Sequence, residues 1–305
     1  MKPIRIGTRK SPLALWQAKL VEKKLNEIHI STEIVPITSE GDINLQQPIY
    51  QLGITGVFTR SLDIALLNDQ IDIAVHSLKD VPTLLPEGIE LKGFMERGNP
   101  NDILVYKSDE IFNKDKRTIA TGSLRRTAFW LYKFPQDSVV DLRGNVQLRI
   151  QKLLDSNWDG AIFAYAGLDR SDILEELELK GLMFQVLDEM IPAPSQGIVG
   201  ITCRTDFEMP EISHENSRIS ATIERQFLNI LEGGCTAPIG GFAQINNENI
   251  HFKGAVLSLD GKKIIPVEEN FSKSEFENKG KELAEYCLNN GARELIELVQ
   301  KELKN

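Results

Sequence analysis

The chain has 305 residues, 41% of them apolar and 26% charged, with a formal net charge of −9. Length and composition predict two or three packed domains, and the acidic balance argues against nucleic acid as the main partner. No apolar run approaches a membrane span. The opening MKPIRIGTRKSPLALW lacks a signal-peptide core, because Arg5, Arg9 and Lys10 interrupt it. Three cysteines, an odd number, do not suggest a disulfide framework. Without CxxC or HExxH a metal site is unsupported, and the expected location is cytoplasmic.

In chain order, Ile4–Thr8 reads as a strand, and Ser11-Pro12 as an N-cap with proline at the first helical position. Leu13, Trp16, Leu20, Val21, Leu25 and Ile28 recur at helical spacing, predicting a helix to about His29. A strand at Ile34–Ile37 precedes residues 39–56, a long aperiodic stretch read as a mobile lid. Phe58, Leu62, Ala65 and Leu66 mark a second helix. Ile71–Pro82, IDIAVHSLKDVP, starts as a buried strand and turns polar at His76, Ser77, Lys79 and Asp80; Pro82 predicts that it stays extended. Gly98-Asn99-Pro100-Asn101 reads as an inter-domain crossing. A second α/β unit follows: strand 118–121, helix 124–134, strand 139–142, helix 146–154, strand 161–164. Its opening TGSLRRTAFW parallels GTRKSPLALW, which suggests a repeated architecture. Ile191–Arg204 is expected to return to the first sheet. A helix over 214–231, strands with hairpin turns at Asn246-Asn247 and Asp260-Gly261, and two closing helices form a third, α+β unit.

Chemistry is suggested at three places. Asp80 beside Lys79 ends a buried strand, the edge where open α/β sheets bind ligands, and is the better acid–base residue; His76 is a weaker one. Arg125 and Arg126 lie in the first turn of a helix, where the dipole disfavours cations unless an anion binds there. Arg9, Lys10, Arg143 and Arg170 occupy comparable strand-end positions and Arg149 lies on the helix after Arg143, so an acidic chain gathers arginines as if for a polyanionic small molecule. Among the cysteines, Cys203 shares strand parity with Val199 and Ile201, and Cys287 lies on an apolar helix stripe; both read as core. Cys235, in LEGGCTAPIGG, follows no helix or strand period and reads as a nucleophile or an attachment point.

The ordered set His76-Ser77-Leu78-Lys79-Asp80-Val81-Pro82, Gly122-Ser123-Leu124-Arg125-Arg126, Leu142-Arg143-Gly144-Asn145 and Leu231-Glu232-Gly233-Gly234-Cys235 resembles the porphobilinogen deaminase (hydroxymethylbilane synthase) family over essentially the whole chain. Gly7–Ala14 and Asn289-Asn290-Gly291-Ala292 also fit. The resemblance implies an α/β protein of two periplasmic-binding-protein-like domains, 1–95 with 193–212 and 99–190, plus a C-terminal α+β domain, 214–305. It implies a transferase that condenses four porphobilinogens into hydroxymethylbilane, releasing ammonia at each step. The chain of pyrroles is primed on a dipyrromethane cofactor held by a thioether, at Cys235 by motif match. Asp80 would be catalytic, protonating the departing amine and stabilising the cationic azafulvene. Arg9, Ser11, Lys79, Ser123, Arg125, Arg126, Arg143, Arg149, Arg170 and Arg225 match positions that hold pyrrole carboxylates. No metal and no nucleic-acid or membrane partner is implied, and a monomer is expected.

Several positions depart from the family pattern. Residues 51–58, QLGITGVF, lack two lysines common in the lid. Ser195 replaces a common glycine, and Thr202 a common glutamate. The rival reading is a non-catalytic binding module for a polyanionic small molecule, which would need neither Cys235 nor Asp80.

Overall fold

A computed structural model describes residues 2–38, 59–170, 173–231 and 238–304. The lid stretch and Cys235 lie outside the described residues. Three sheets organise the rest.

The first sheet has the order β2-β1-β3-β10-β4. Strand β1 (Ile4–Arg9) pairs in parallel with β2 (Thr32–Ile37) and β3 (Ile73–Ser77). Helix α1 (Pro12–Glu27) starts as expected: the Ser11 hydroxyl accepts from Ala14 N, and Pro12 fills the first position, where no N–H is needed. Helix α2 (Arg60–Leu67) leads into β3, and β4 (Ile89–Phe94) forms the far edge.

The second sheet repeats the plan as β7-β6-β8-β5-β9. Strand β6 (Thr118–Ala120) lies between β7 (Ser138–Val140) and the central β8 (Gly160–Ala164), parallel to both; β5 (Asp102–Tyr106) runs antiparallel beside β8. Helices α3 (Leu124–Lys133) and α4 (Val146–Asp155) carry side-chain N-caps from Ser123 and Asn145. The repetition is therefore real: each unit places three parallel strands beside an antiparallel one.

Three elements were not foreseen: the short helices α5 (Tyr165–Asp169) and α6 (Ile173–Leu179), and the edge strand β9 (Met183–Val186). The chain then returns to the first sheet as expected. Strand β10 (Val199–Arg204) pairs antiparallel with both β3 and β4, setting Val199 opposite Ser77.

The third unit is a meander of β11 (Ile239–Asn246), β12 (Asn249–Leu257) and β13 (Ile264–Ser272). It packs on α7 (Glu215–Ile230) and α8 (Phe276–Cys287), with α9 (Arg293–Lys304) beyond a kink at Asn290-Gly291. Cys203 and Cys287 are buried in cores, as their periodicity implied; burial pushes the Cys287 thiol up to about 12. The units share apolar contacts. Ala255 and Leu257 of β12 join the core of the second sheet, and Ala221 of α7 joins Leu78, Val81, Phe94 and Ile198 of the first.

Two crossings connect the first two units, at 95–101 and at 187–198. Glu224, fully buried on α7, ties both to the third. Its carboxylate accepts from Arg97 Nη1 and Nη2 (2.6 and 2.9 Å), Ser195 N (2.6 Å) and Ala243 N (2.8 Å). Ser195 sits in the left-handed region (φ 66°), and Gly197 follows at φ 86°. The Ser195 hydroxyl is buried without a hydrogen-bond partner. Left-handed serine is strained and an unsatisfied buried hydroxyl is costly. Ser195→Gly is therefore expected to stabilise the protein by about 1 kcal/mol after the entropic cost of glycine, read as a raised urea midpoint with an unchanged m-value.

Candidate active site

The polar end of β3 does not stay extended. Leu78–Asp80 forms one 3-10 turn, and only Val81 (φ −84°, ψ 123°) takes the extended conformation that Pro82 imposes. Proline restricts the residue immediately before it, so the residues further back were free to turn. Several contacts hold this turn. Leu78 is fully buried, in space left by Gly200, where a Cβ would lie 2.7 Å from Leu78 Cδ1. Leu78 N donates to Ile198 O (3.0 Å), and Gln17 Nε2 donates to Ser77 Oγ (2.8 Å). Arg225 of α7 donates from Nη1 to Val81 O (2.9 Å) and from Nη2 to Pro82 O (2.6 Å). Burial lowers its guanidinium to about 10.

Asp80 and Lys79 leave this turn half-buried. Lys79 Nζ donates to Gln196 Oε1 (3.1 Å). Burial, and then the nearby Arg126, lower the ammonium to about 8, against the opposing pull of Asp80 and Asp102. Asp80 also acts electrostatically on Arg126 and Arg149. Lys79, Asp80, Arg125, Arg126, Arg143 and Arg149 thus converge from two domains.

The anion that Arg125 and Arg126 required is in part supplied by the chain itself. Asp102, the first residue of β5 and fully buried, pairs with Arg125 Nη1 (2.7 Å) and with Arg126 Nη2 and Nε (both 2.9 Å), and accepts from Gln196 Nε2 (2.9 Å). The two guanidiniums hold its carboxyl far below the usual carboxylate range despite burial. Arg125 Nη1 also donates to Ile191 O, and Arg126 Nη1 to Ile162 O. An internal carboxylate thus meets much of the demand that helix polarity places on Arg125 and Arg126. It does not meet all of it. Arg125 Nε and Arg143 Nη1 are buried and have no hydrogen-bond partner. Burial lowers Arg143, and burial followed by the repulsion of Arg126 and Arg143 lowers Arg149 to about 10. Arg149 Nε donates to Gly144 O (2.7 Å), which orients its fork.

The remaining predicted residues fall elsewhere. Arg9 ends β1, and its charge adds to burial in lowering His76 to about 4. His76 is buried against the Thr202 hydroxyl (3.0 Å) and is a packed core histidine rather than a base. Ser11 and Ser123 serve as helix caps. Arg170 donates from Nη2 to Gly197 O (2.7 Å) and lies over the Trp16 ring, so it braces the crossing between domains. Arg225 braces the Asp80 turn. Sequence reasoning missed Asp102 and Gln196. The only available signal was their flanking of Pro100 and Gly197, at the ends of the two crossings. Among the described residues no cluster suits a metal ion, and no helix is long and apolar enough to cross a membrane.

These features define a class: an α/β protein with two sheet domains and a C-terminal sheet-and-helix domain, whose cations converge on a carboxylate at a strand end. The chain belongs to the porphobilinogen deaminase family. Residues 4–211 match the family model for the porphobilinogen deaminase dipyromethane cofactor binding domain, and 219–289 match the C-terminal domain. Porphobilinogen deaminase of Campylobacter hominis is 38% identical over 303 residues, covering 97% of this chain and 98% of that protein. Among solved structures, the putative periplasmic sulfonate-binding protein SsuA of Methylobacillus flagellatus is 17% identical over 74% of this chain and 68% of its own, with a TM-score of 0.40. The BvgS VFT2 domain of Bordetella pertussis is 13% identical over 66% and 79%, with a TM-score of 0.41.

Removing the Asp102 charge leaves two buried guanidiniums without their anion. Asp102→Asn should lower stability by about 3–5 kcal/mol in urea unfolding near neutral pH. The folded-state pKa of Asp102 lies below the unfolded value of about 3.8. Its contribution is therefore fully present above that value and is lost as pH falls through the folded one. The variant should lack this part of the wild type's acid destabilisation.

Proposed function

We propose that Asp80 is the catalytic carboxylate and Cys235 the cofactor attachment point of a transferase that condenses four porphobilinogen molecules head to tail into linear hydroxymethylbilane. One ammonia leaves at each addition, and the reaction belongs to porphyrin biosynthesis. The observation that carries this reading is the convergence of Lys79, Arg125, Arg126, Arg143 and Arg149 on the surroundings of Asp80, with Arg125 Nε and Arg143 Nη1 buried and unpartnered. Buried donors of that kind fit a ligand rich in carboxylates, and every porphobilinogen and every ring of a dipyrromethane bears two. A binding module would need the cations but not a carboxylate placed among them, so the geometry favours the enzyme.

The dipyrromethane, joined to Cys235 by a thioether, supplies the free pyrrole carbon from which the chain grows. The protein's own groups do the rest. Arg125, Arg126, Arg143, Arg149 and Lys79, with Ser123, Arg9 and Ser11 at the helix starts, bind acetate and propionate groups and fix ring orientation. Planar guanidinium forks suit carboxylates better than ammonium does. Asp80 holds a proton at the departing nitrogen and faces the positive charge that develops on the incoming pyrrole as the amine leaves. It then takes the proton from the ring carbon after the new carbon–carbon bond forms. Arg170 and Arg225 act from outside, bracing the crossing and the Asp80 turn. We also assign the domains as 1–95 with 193–212, 99–190 and 214–305, a division that the three sheets support, and expect a cytoplasmic monomer.

Intact mass tests the reading first. The purified protein should exceed its chain mass by two linked pyrrole units, and Cys235→Ser should remove that excess. An unmodified protein that turns over porphobilinogen fully would defeat the proposal. Asp80→Asn should keep the added mass when the cofactor is supplied while kcat falls by about 100-fold or more. Wild-type kcat in that variant would refute the acid–base role.

A further inference from the structure

Gln196 lies in the second crossing between the two α/β domains and is buried. The left-handed residues on either side, Ser195 and Gly197, bend the chain so that its side chain turns inward. Its backbone is fixed: Gln196 O accepts from Arg97 Nε (2.9 Å), and the neighbouring Ser195 N donates to Glu224. All of the amide's contacts bridge distant segments. Oε1 accepts from Lys79 Nζ (3.1 Å), and Nε2 donates to Asp102 Oδ1 (2.9 Å) and to Pro100 O (2.6 Å). Chemistry fixes the orientation of this amide, because the ammonium offers only donors while the carboxylate and the carbonyl offer only acceptors.

We propose that Gln196 is a positioning residue for the Asp80 site, its amide coupling the Lys79 ammonium of the first domain to the Asp102 carboxylate and Arg125–Arg126 pair of the second. The proposal rests on the reading of Asp80 and Lys79 as site residues. Lys79 is faced by Asp80 and Asp102 and by the opposing charges of Arg125 and Arg126. Gln196 Oε1 is the neutral acceptor that holds the ammonium in place within that field. The same amide adds a donor to Asp102 Oδ1 beside Nε and Nη2 of Arg126, while Arg125 Nη1 pairs with Oδ2, so Gln196 touches both sides of the cleft at once. Glutamate at this position would put a second carboxylate against Asp102, and an apolar residue would leave Lys79 without this acceptor.

The test compares Gln196→Met and Gln196→Glu with the wild-type holoprotein. Trace competitive acetylation by acetic anhydride, followed by peptide mass analysis, gives the pH midpoint at which Lys79 becomes nucleophilic. Losing the acceptor should move that midpoint down by about one unit in Gln196→Met, the size of one charge-assisted hydrogen bond. A carboxylate in its place should move it up by a similar amount in Gln196→Glu. The alkaline limb of kcat/KM for porphobilinogen should follow the same two directions. A purely structural role would lower activity at every pH and leave both midpoints in place, and unchanged midpoints in folded variants overturn the proposal. If the methionine variant does not fold, the glutamate variant alone decides by the direction of its shift. A wild-type protein that does not consume porphobilinogen would sink the functional reading while the labelling midpoints still judge Gln196.

Discussion

A carboxylate removed from water beside two guanidiniums controls much of this molecule. Burial of a single ionised Asp102 would be prohibitive without strong partners. It is tolerated because Arg125 and Arg126 reach it from the first turn of α3 and Gln196 from the crossing. These partners come from two separate parts of the chain, so the pairing fixes α3 against β5 and the crossing against both. It also fixes the unused edges of the arginines. One fork edge of Arg125 is spent on Asp102 and Ile191 O, and its Nε is left buried without a partner.

The charge balance follows from this. Lys79 and Arg126 face Asp80 and Asp102, Arg125 pairs with Asp102, Arg149 faces Asp80, and Arg143 lies between Arg149 and the exposed Asp141. Cations outnumber carboxylates in a protein whose net charge is −9. Burial opposes the charge of Lys79, Arg126, Arg143 and Arg149 alike, and mutual repulsion adds to it in Lys79, Arg126 and Arg149. Such an arrangement is strained by itself and relaxed by anions. Ligand carboxylates entering the cleft relieve repulsion that folding has already incurred, so part of their binding energy is prepared in advance. The acidic surface outside does not cancel this, because exposed charges beyond about 8–10 Å are largely screened.

Most of the regular structure was legible in the sequence because it rests on local signals. The Ser11-Pro12 start, the hairpin at Asn246-Asn247 and the return of 191–204 behaved as their patterns required; α1 formed, but of its expected stripe only Val21 and Leu25 are fully buried, beside Ala14, Gln17 and Ala18, and Ile28 is exposed beyond its end. The exceptions have physical causes. Helices α5 and α6 are too short for a period to show, and β9 is an exposed edge strand without alternation. The turn at Leu78–Asp80 was hidden because Pro82 acts only on Val81. The site was half legible: cations at strand ends were visible, but a sequence does not say which anion answers them. Asp102 reads as an ordinary residue after a loop, and only the pairing of β5 with β8 carries it to α3. For the same reason Arg170 and Arg225 looked equivalent to Arg143, although Arg170 binds the carbonyl of Gly197 and Arg225 those of Val81 and Pro82.

That division of labour among the arginines bears on how a site between domains keeps its geometry. Arg97, Arg170 and Arg225 spend hydrogen bonds on the crossings and the Asp80 turn, at backbone carbonyls or at Glu224. Carbonyls do not titrate, so the bonds of Arg170 and Arg225 persist through the acid and neutral range. Arg125 and Arg143 instead each keep one buried donor without a partner, Nε and Nη1. The first group thus holds the crossings and the Asp80 turn in place, while the second keeps donors that the chain itself does not use. A single crossing could pivot freely, but two crossings tied to one buried carboxylate, Glu224, restrict relative motion of the domains to displacements that leave α7 and its contacts intact. Lys79 and Asp80 are carried on the turn that Arg225 clamps to that same helix, so their position is referenced to the C-terminal domain as well as to their own sheet.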